Sequence, residues 1–202
     1  MKQSITLIAL ALSSSLLFSQ SVLADLETYS IDDGHSFANW SIRHVVSKTS
    51  GTFSDITGKI LIDRNDLSKS SIDAKINLLT VNSSNPKRDE HIQKEEYLDS
   101  ARFSKMTFVS TQIVAKNTTE GEVTGTLTLH GIAKQMTFPF KILGFGQDPW
   151  GGTRMGLEAH TGIKASDFGF AWPLKPNAPV GDDIEITLLI EGVKLQVPKV
   201  IK

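Results

Sequence analysis

The densest group of side chains able to do chemistry lies in the segment from Pro86 to Phe103. Arg88, Asp89 and His91 stand within one turn of each other there if the segment is helical. The planar guanidinium of arginine binds two oxygens of a phosphate or pyrophosphate at once. Histidine donates to the same group or to a carbonyl oxygen. The segment therefore predicts either a site for a polar or anionic group, or a surface helix whose charges pair with one another.

Five histidines raise the question of a metal site: His35, His44, His91, His130 and His160. They form no HExxH motif and no pair four residues apart. His44, His91 and Asp89 could converge on zinc, since three scattered nitrogen or oxygen ligands are enough for that ion. The scattered spacing favours histidines that are exposed or hydrogen-bonded, and we predict neither a bound metal nor another cofactor.

The sequence contains no clear motif for a catalytic nucleophile or for a nucleotide-binding loop. The chain has no cysteine and no GxSxG motif. His35 and Ser36 are neighbours in a strand-like run, so their side chains point to opposite faces and cannot act as base and nucleophile. Gly144-Phe145-Gly146 has neither the third glycine nor the helix of a nucleotide loop. We therefore expect a protein without catalytic activity.

Composition and charge narrow the classes of partner. The 202 residues are 40% hydrophobic and carry a formal net charge of −1. Such a chain is long enough for one domain with a real core. A charge so close to zero gives no electrostatic reason to bind nucleic acid.

Residues 1–24 have the layout of a cleavable secretory signal. Lys2 is followed by an apolar run from Ile5 to Phe18, and small residues precede a cleavage site between Ala24 and Asp25. The apolar run is too short and too rich in serine to span a membrane. We predict an exported domain over residues 25–202 with no transmembrane segment once the signal is removed.

The rest of the chain alternates between apolar and polar side chains, which is typical of half-buried strands. Only the segment from Pro86 to Phe103 breaks the alternation, and it predicts about three turns of surface helix with Pro86 in the first turn and Ser84 or Asn85 as cap. Short turns between strands favour an antiparallel meander, which can close into an eight-stranded barrel. A two-sheet sandwich is the competing fold. The predicted strands cover residues 35–44, 51–63, 71–81, 105–116, 122–130, 134–145, 154–164 and 183–193.

The apolar faces of these strands are predicted to line the barrel interior. An eight-stranded barrel either fills itself with side chains or holds one small ligand. Trp150 stands in a Pro/Gly loop, either as a lid over the barrel mouth or as a packed aromatic residue. The predicted lining consists of Ala38, Trp40, Ile42, Ile60, Ile76, Phe108, Leu127, Leu129, Phe138, Phe140, Leu157 and Leu188.

Several segments, in a fixed order that spans the predicted exported domain, resemble the YceI-like polyisoprenoid-binding family and within it the periplasmic branch. The resemblance implies a lipocalin-like barrel that holds a long isoprenoid chain in an apolar interior, with no assigned catalysis. The segments are Asp33-Gly34-His35-Ser36-Phe37, Arg43-His44, Gly51-Thr52-Phe53, Lys87-Arg88-Asp89-Glu90-His91, Gly125-Thr126-Leu127-Thr128-Leu129-His130-Gly131, Asp148-Pro149-Trp150-Gly151-Gly152, Asp167-Phe168 and Gly181-Asp182-Asp183.

The leading hypothesis is a periplasmic carrier of a polyisoprenoid or isoprenoid quinone, in which a large residue at Ala38 or Gly58 would block lipid uptake. The candidates for head-group contact are His35, His44, Arg88, Asp89 and His91. Two alternatives stay open: a metal-assisted periplasmic hydrolase that uses Arg88, Asp89, His91 and His44, and a stress-linked holding chaperone that uses the barrel mouth. A homodimer is compatible with all three.

Overall fold

A computed structural model describes residues 26–196, so the predicted signal and its cleavage site lie outside the described residues. Ten strands and one short α-helix, joined by turns, make up this part of the chain. The strands are β1 (Leu26–Ile31), β2 (Phe37–His44), β3 (Ser47–Phe53), β4 (Ile56–Asp63), β5 (Ser71–Asn77), β6 (Lys105–Ala115), β7 (Glu120–Leu129), β8 (Ile132–Gln147), β9 (Thr153–Lys164) and β10 (Val180–Lys194). Helix α1 is Pro86–Ile92, and the 3₁₀ turns are Asp33–His35, Leu67–Lys69, Leu78–Thr80, Ala165–Phe168 and Trp172–Leu174.

Eight of the strands form a closed antiparallel barrel, which confirms the predicted fold class. The order is β1-β4-β5-β6-β7-β8-β9-β10, and β10 closes the circle by pairing with β1. The long strand β10 pairs with β1 near its end, at Gly192 to Lys194, and with β2 along Val180 to Leu189. The β2–β3 hairpin therefore extends the wall of the barrel beyond the closed part.

The structure has ten strands where the sequence predicted eight. Strand β1 was missed, although Tyr29 and Ile31 are buried at period two. The predicted run over residues 51–63 is two strands, because the chain leaves the ladder at Ser54 and Asp55 between β3 and β4. This break lets β3 follow β2 outward while β4 stays in the barrel.

The closing seam between β1 and β10 is stabilised by side chains as well as by the ladder. Lys194 Nζ lies 2.6 Å from Glu27 Oε1, and the Tyr29 hydroxyl donates to Oε2 of Glu27 at 2.6 Å. Burial opposes the ionisation of this carboxylate, yet hydrogen bonds from Lys194, Tyr29 and Arg64 hold its pKa below the usual value. Burial, with the bond to Glu27, raises the pKa of Tyr29 to about 12.

Helix α1 has seven residues rather than the predicted three turns. Its start is as expected: Pro86 lies in the first turn, and the Asn85 side chain accepts from the amide of Arg88. The prediction of its end was wrong, because the chain folds back after Ile92. Asp99 adopts a left-handed backbone with φ of 44°, and the hydroxyl of buried Ser100 donates to the carbonyl of Gln93. These local bonds give the backbone an alternative to further helical turns.

From β4 to β10, the loops alternate between the two ends of the barrel, as they must in an antiparallel meander. Helix α1, the β2–β3 turn, the β7–β8 turn and the β9–β10 loop share one end, which we call the α1 end. The β6–β7 and β8–β9 turns lie at the opposite end, the far end. The core fills the barrel between them.

Candidate ligand-binding cavity

Two apolar cavities occupy the interior of the barrel. The outer cavity, at the α1 end, has a volume of about 410 Å³, and the inner cavity has about 90 Å³. Met106, Ile163 and Ile186 line both of them, so the two are adjacent along the barrel axis. The outer cavity alone falls within the range of about 300–1,000 Å³ that is usual for small-molecule sites.

All twelve residues predicted to line the interior lie on these cavities. The period-two pattern places them there because one face of each strand is turned inward. Ala38, Trp40, Ile42 and Leu129 line the outer cavity. Ile60, Ile76, Phe108, Leu127, Phe138, Phe140, Leu157 and Leu188 line the inner cavity.

Three of the five head-group candidates meet at the outer cavity. His44, at the end of β2, lines it together with Arg88 and His91, which lie three residues apart on one face of α1. Thr49 and Tyr97 add hydroxyl groups to the same wall. The outer cavity therefore combines an apolar interior with a polar, cationic edge at the α1 end.

Arg88 is anchored by Ser83 rather than by a carboxylate. Its Nε donates to Ser83 Oγ at 2.7 Å, and its Nη2 donates to the Ser83 carbonyl. Asp89, the fourth candidate, faces the same loop instead of the cavity. Its Oδ1 accepts from the amide of Ser83 at 2.8 Å and from the Ser83 hydroxyl. Asp89 thus fixes the loop that positions Arg88.

A row of aromatic rings along the outer cavity was not predicted from the sequence. His91 packs edge-on against Tyr97 with ring centroids 4.8 Å apart, and Tyr97 lies 5.2 Å from Trp172. Trp172 in turn stacks on Phe170 at 4.6 Å. The signal was present in the Phe168–Trp172 stretch, where three aromatic residues follow one another at period two.

Comparison with known proteins decides the family. The model of the YceI-like domain matches residues 29–192. Protein YceI of Salmonella arizonae is 38% identical over 183 residues, which cover 89% of this chain and 93% of that protein. The chain belongs to the YceI-like family. The predicted resemblance is thereby confirmed.

Solved structures show the same fold in other proteins. Burkholderia cenocepacia BcnA aligns with a TM-score of 0.72 at 20% identity, over 80% of this chain and 98% of that one. A domain from Saccharophagus degradans, described as polyisoprenoid-binding and implicated in plant cell wall breakdown, aligns with a TM-score of 0.63 at 15% identity. That alignment covers 83% of this chain and 98% of the domain.

His35, the fifth head-group candidate, does not reach the cavity of this YceI-like barrel. Its Nδ1 lies 3.0 Å from Asp32 Oδ2, and His35 is in the lining of neither cavity.

The Asp32–His35–Glu191 group is the one cluster between residues 26 and 196 with ligand atoms close enough to hold a metal. The positive charge of Arg154 already occupies this cluster, because its Nη1 donates to the carboxylates of Asp32 and Glu191 at 2.5 Å. The zinc alternative built on His44, His91 and Asp89 was wrong in its geometry, since these three do not cluster.

Trp150 is not a lid over the outer cavity and not a packed aromatic residue. It lies in the β8–β9 turn at the far end, and 86% of it is exposed. Both interpretations of this residue were therefore wrong.

Within the described part of the YceI-like chain, no helix is long and apolar enough to cross a membrane.

Proposed function

We propose that this protein binds a long-chain isoprenoid lipid, a polyisoprenoid or an isoprenoid quinone, and carries it in the periplasm. The observation that supports this most directly is the pair of adjacent apolar cavities, with polar residues at the α1 end of the outer one. The isoprenoid chain would occupy the interior. The head group would lie at the α1 end, beside His44, Arg88 and His91.

The energetics of such a site suit a carrier. Each buried CH₂ group of a ligand contributes about 0.8 kcal/mol, so a long chain is held without any polar contact. The few polar groups at the edge then select the head group. Arg88 lies half-buried on an apolar cavity, and within residues 26–196 it forms no ion pair with a carboxylate. A half-buried cation of this kind favours an anionic or strongly polar head group.

The comparisons and the N-terminal sequence also support a periplasmic lipid-binding protein. The fold is shared with a domain described as polyisoprenoid-binding. Residues 1–24 carry the pattern of a secretory signal, which supports export to the periplasm. The hydrolase alternative has lost its main support, because Asp89 is bound to Ser83 and does not join His44 and His91.

Native mass spectrometry of the protein purified from its own periplasm tests the proposal. We expect a mature chain that begins at Asp25 and a co-purifying lipid built from five-carbon units, identified after solvent extraction. The delipidated protein should then bind an added prenyl lipid saturably, with a change in the fluorescence of Trp40 or Trp172. An empty protein that takes up no prenyl lipid would overturn the proposal. Broad competition by unfolded chains would favour the chaperone alternative.

A further inference from the structure

The tip of the β2–β3 hairpin breaks the usual rule for tight turns. The two central residues of the turn are Val45 and Val46. Val45 has a φ of 52°, a left-handed conformation that glycine or asparagine usually supplies and that β-branched residues avoid. Val46 is 95% exposed. Two valines therefore stand where neither local conformation nor burial favours them, a pattern expected at functional sites.

A second exposed apolar residue lies on the adjoining loop between β9 and β10. Leu174 is 73% exposed at the end of the 3₁₀ turn Trp172–Leu174. The two loops are joined by hydrogen bonds. The amide of Val45 donates to the Pro179 carbonyl at 2.6 Å, and Arg43 Nη2 donates to the Ala178 carbonyl at 3.1 Å. We call the four residues Val45, Val46, Leu174 and Lys175 the mouth rim.

The mouth rim borders the outer cavity directly. His44, next to Val45, lines that cavity, and so do Trp172 and Pro179 on the other loop. A ligand that enters or leaves between the β2–β3 and β9–β10 loops therefore passes the mouth rim. Exposed apolar side chains at this position therefore lie next to the residues that line the outer cavity.

The charge at the mouth rim comes from Lys175. This side chain is exposed, and across residues 26–196 no carboxylate lies within 4.0 Å of it. Lys48, on the hairpin, is different, because its ammonium group lies 2.5 Å from Glu185. Apolar tips beside an uncompensated cation match the acyl boundary and the anionic phosphates of a phospholipid surface.

We infer that the mouth rim docks this protein onto an anionic phospholipid bilayer, so that the isoprenoid passes between membrane and cavity without crossing water. This inference rests on the proposed function for its cargo. Val46 and Leu174 enter the acyl boundary, and Lys175 contacts the phosphates. The strained turn keeps both valines facing the bilayer instead of folding back onto the barrel.

Flotation with vesicles of phosphatidylcholine and phosphatidylglycerol tests the docking. We expect the double variant Val46→Ser/Leu174→Ser to show at least a tenfold lower partition coefficient than the wild type. The matched control is Val114→Ser/Leu143→Ser, which removes the same residue types from exposed positions on β6 and β8. The control should float like the wild type. A wild type that does not float, or two double variants that float equally, overturns the inference.

Binding of a short prenyl alcohol in solution separates this inference from the proposed function. If the mouth-rim variant binds the alcohol normally but extracts it slowly from vesicles, docking is supported. If the wild type floats in a rim-dependent manner but binds no prenyl alcohol, docking is again supported and the cargo is wrong. If the mouth-rim variant differs from the wild type only in its oligomeric mass, measured by sedimentation, the mouth rim is a self-association surface and the inference fails.

Discussion

Arg88 and Ser83 are joined by two hydrogen bonds that leave part of the guanidinium free. Nε donates to Ser83 Oγ at 2.7 Å and Nη2 donates to the Ser83 carbonyl, while Nη1 makes no hydrogen bond within residues 26–196. The edge formed by Nη1 and the second N–H of Nη2 therefore stays available for a ligand on the outer cavity. The loop at Ser83 holds the arginine in place before the ligand arrives, which lowers the entropy lost on binding.

Replacing Arg88 should separate anionic from neutral ligands. A charge-assisted hydrogen bond is worth about 1.5–3 kcal/mol. Arg88→Gln should therefore weaken binding of a prenyl phosphate by about 10- to 100-fold, while a prenyl alcohol of the same length binds nearly as before. Tryptophan fluorescence titration measures both affinities. Lys87→Gln removes a neighbouring exposed charge as the control. Equal losses for both ligands would mean that Arg88 only stabilises the loop.

The lining was predictable from the sequence because one physical constraint sets it. Each strand of a small barrel turns one face to solvent and one to the core, so period-two alternation assigns every residue to a side. Ala38, Trp40 and Ile42 follow this rule on β2, and His44 continues it to the cavity edge. No long-range information was needed for these positions.

The misplaced residues depend on contacts that alternation does not report. His35 is drawn away from the cavity by Asp32, whose own partner Arg154 is 122 positions distant in the chain. Trp150 is a different case, because the sequence held the answer. Loops of a meander alternate between ends, so the β8–β9 turn must lie opposite the β7–β8 turn and cannot cover the outer cavity.

Filling the two cavities separately should give two different losses. Ala38 lies on the outer cavity, so Ala38→Trp should block uptake of every prenyl lipid. Ala74 lies on the inner cavity, so Ala74→Phe should shorten the longest chain that binds and leave shorter ones unaffected. Uptake of prenyl alcohols of graded length measures both effects. Ala133→Trp, on the exposed face of β8, is the control.

Overpacking costs about 1–3 kcal/mol of stability, so the melting temperature of each cavity variant must be measured beside its uptake. Unchanged uptake in a folded Ala38→Trp protein would contradict an open interior. Gly58→Phe, which the sequence suggested as a second filling substitution, is unsuitable. Gly58 has a φ of 143°, and a Cβ there would lie 2.0 Å from the carbonyl oxygen of Asp73. It would disrupt the pairing of β4 with β5 and not fill the cavity.

Arg154 ties three carboxylates together and should make stability depend on pH. Hydrogen bonds from Arg154 hold the pKa of Asp32 and that of Asp148 below the usual value. A carboxylate with a lowered folded-state pKa adds stability above its unfolded pKa of about 4, and that stability is lost as the pH falls through the folded value. Without the arginine, the three negative charges repel one another at neutral pH.

Arg154→Gln should therefore unfold at a lower denaturant concentration than the wild type at pH 7. The difference should shrink at about pH 3, where the carboxylates of the variant are protonated. Urea unfolding at both pH values measures it. Lys48→Gln, which removes one partner of an exposed pair with Glu185, should change the midpoint little at either pH. A difference that stays constant with pH would mean that Arg154 acts through packing alone.

The strain at Val45 predicts a substitution that stabilises the fold and weakens docking. A left-handed backbone costs a non-glycine residue about 1–2 kcal/mol. Val45→Gly removes that cost, and part of the gain is offset because glycine loses more entropy on folding. The free energy of unfolding should rise by about 1 kcal/mol in urea titration, while the partition onto anionic vesicles falls.

Val46→Gly is the matched control for this gain in stability and loss of docking. Val46 does not share the left-handed backbone of Val45, so glycine relieves no strain there and should leave the stability unchanged or lower. Both glycine variants remove one exposed valine, so both should dock less well. Only Val45→Gly should gain stability. If Val45→Gly is no more stable than the wild type, the turn stores no strain, and the two valines would no longer mark the mouth rim as a site where stability is given up for function.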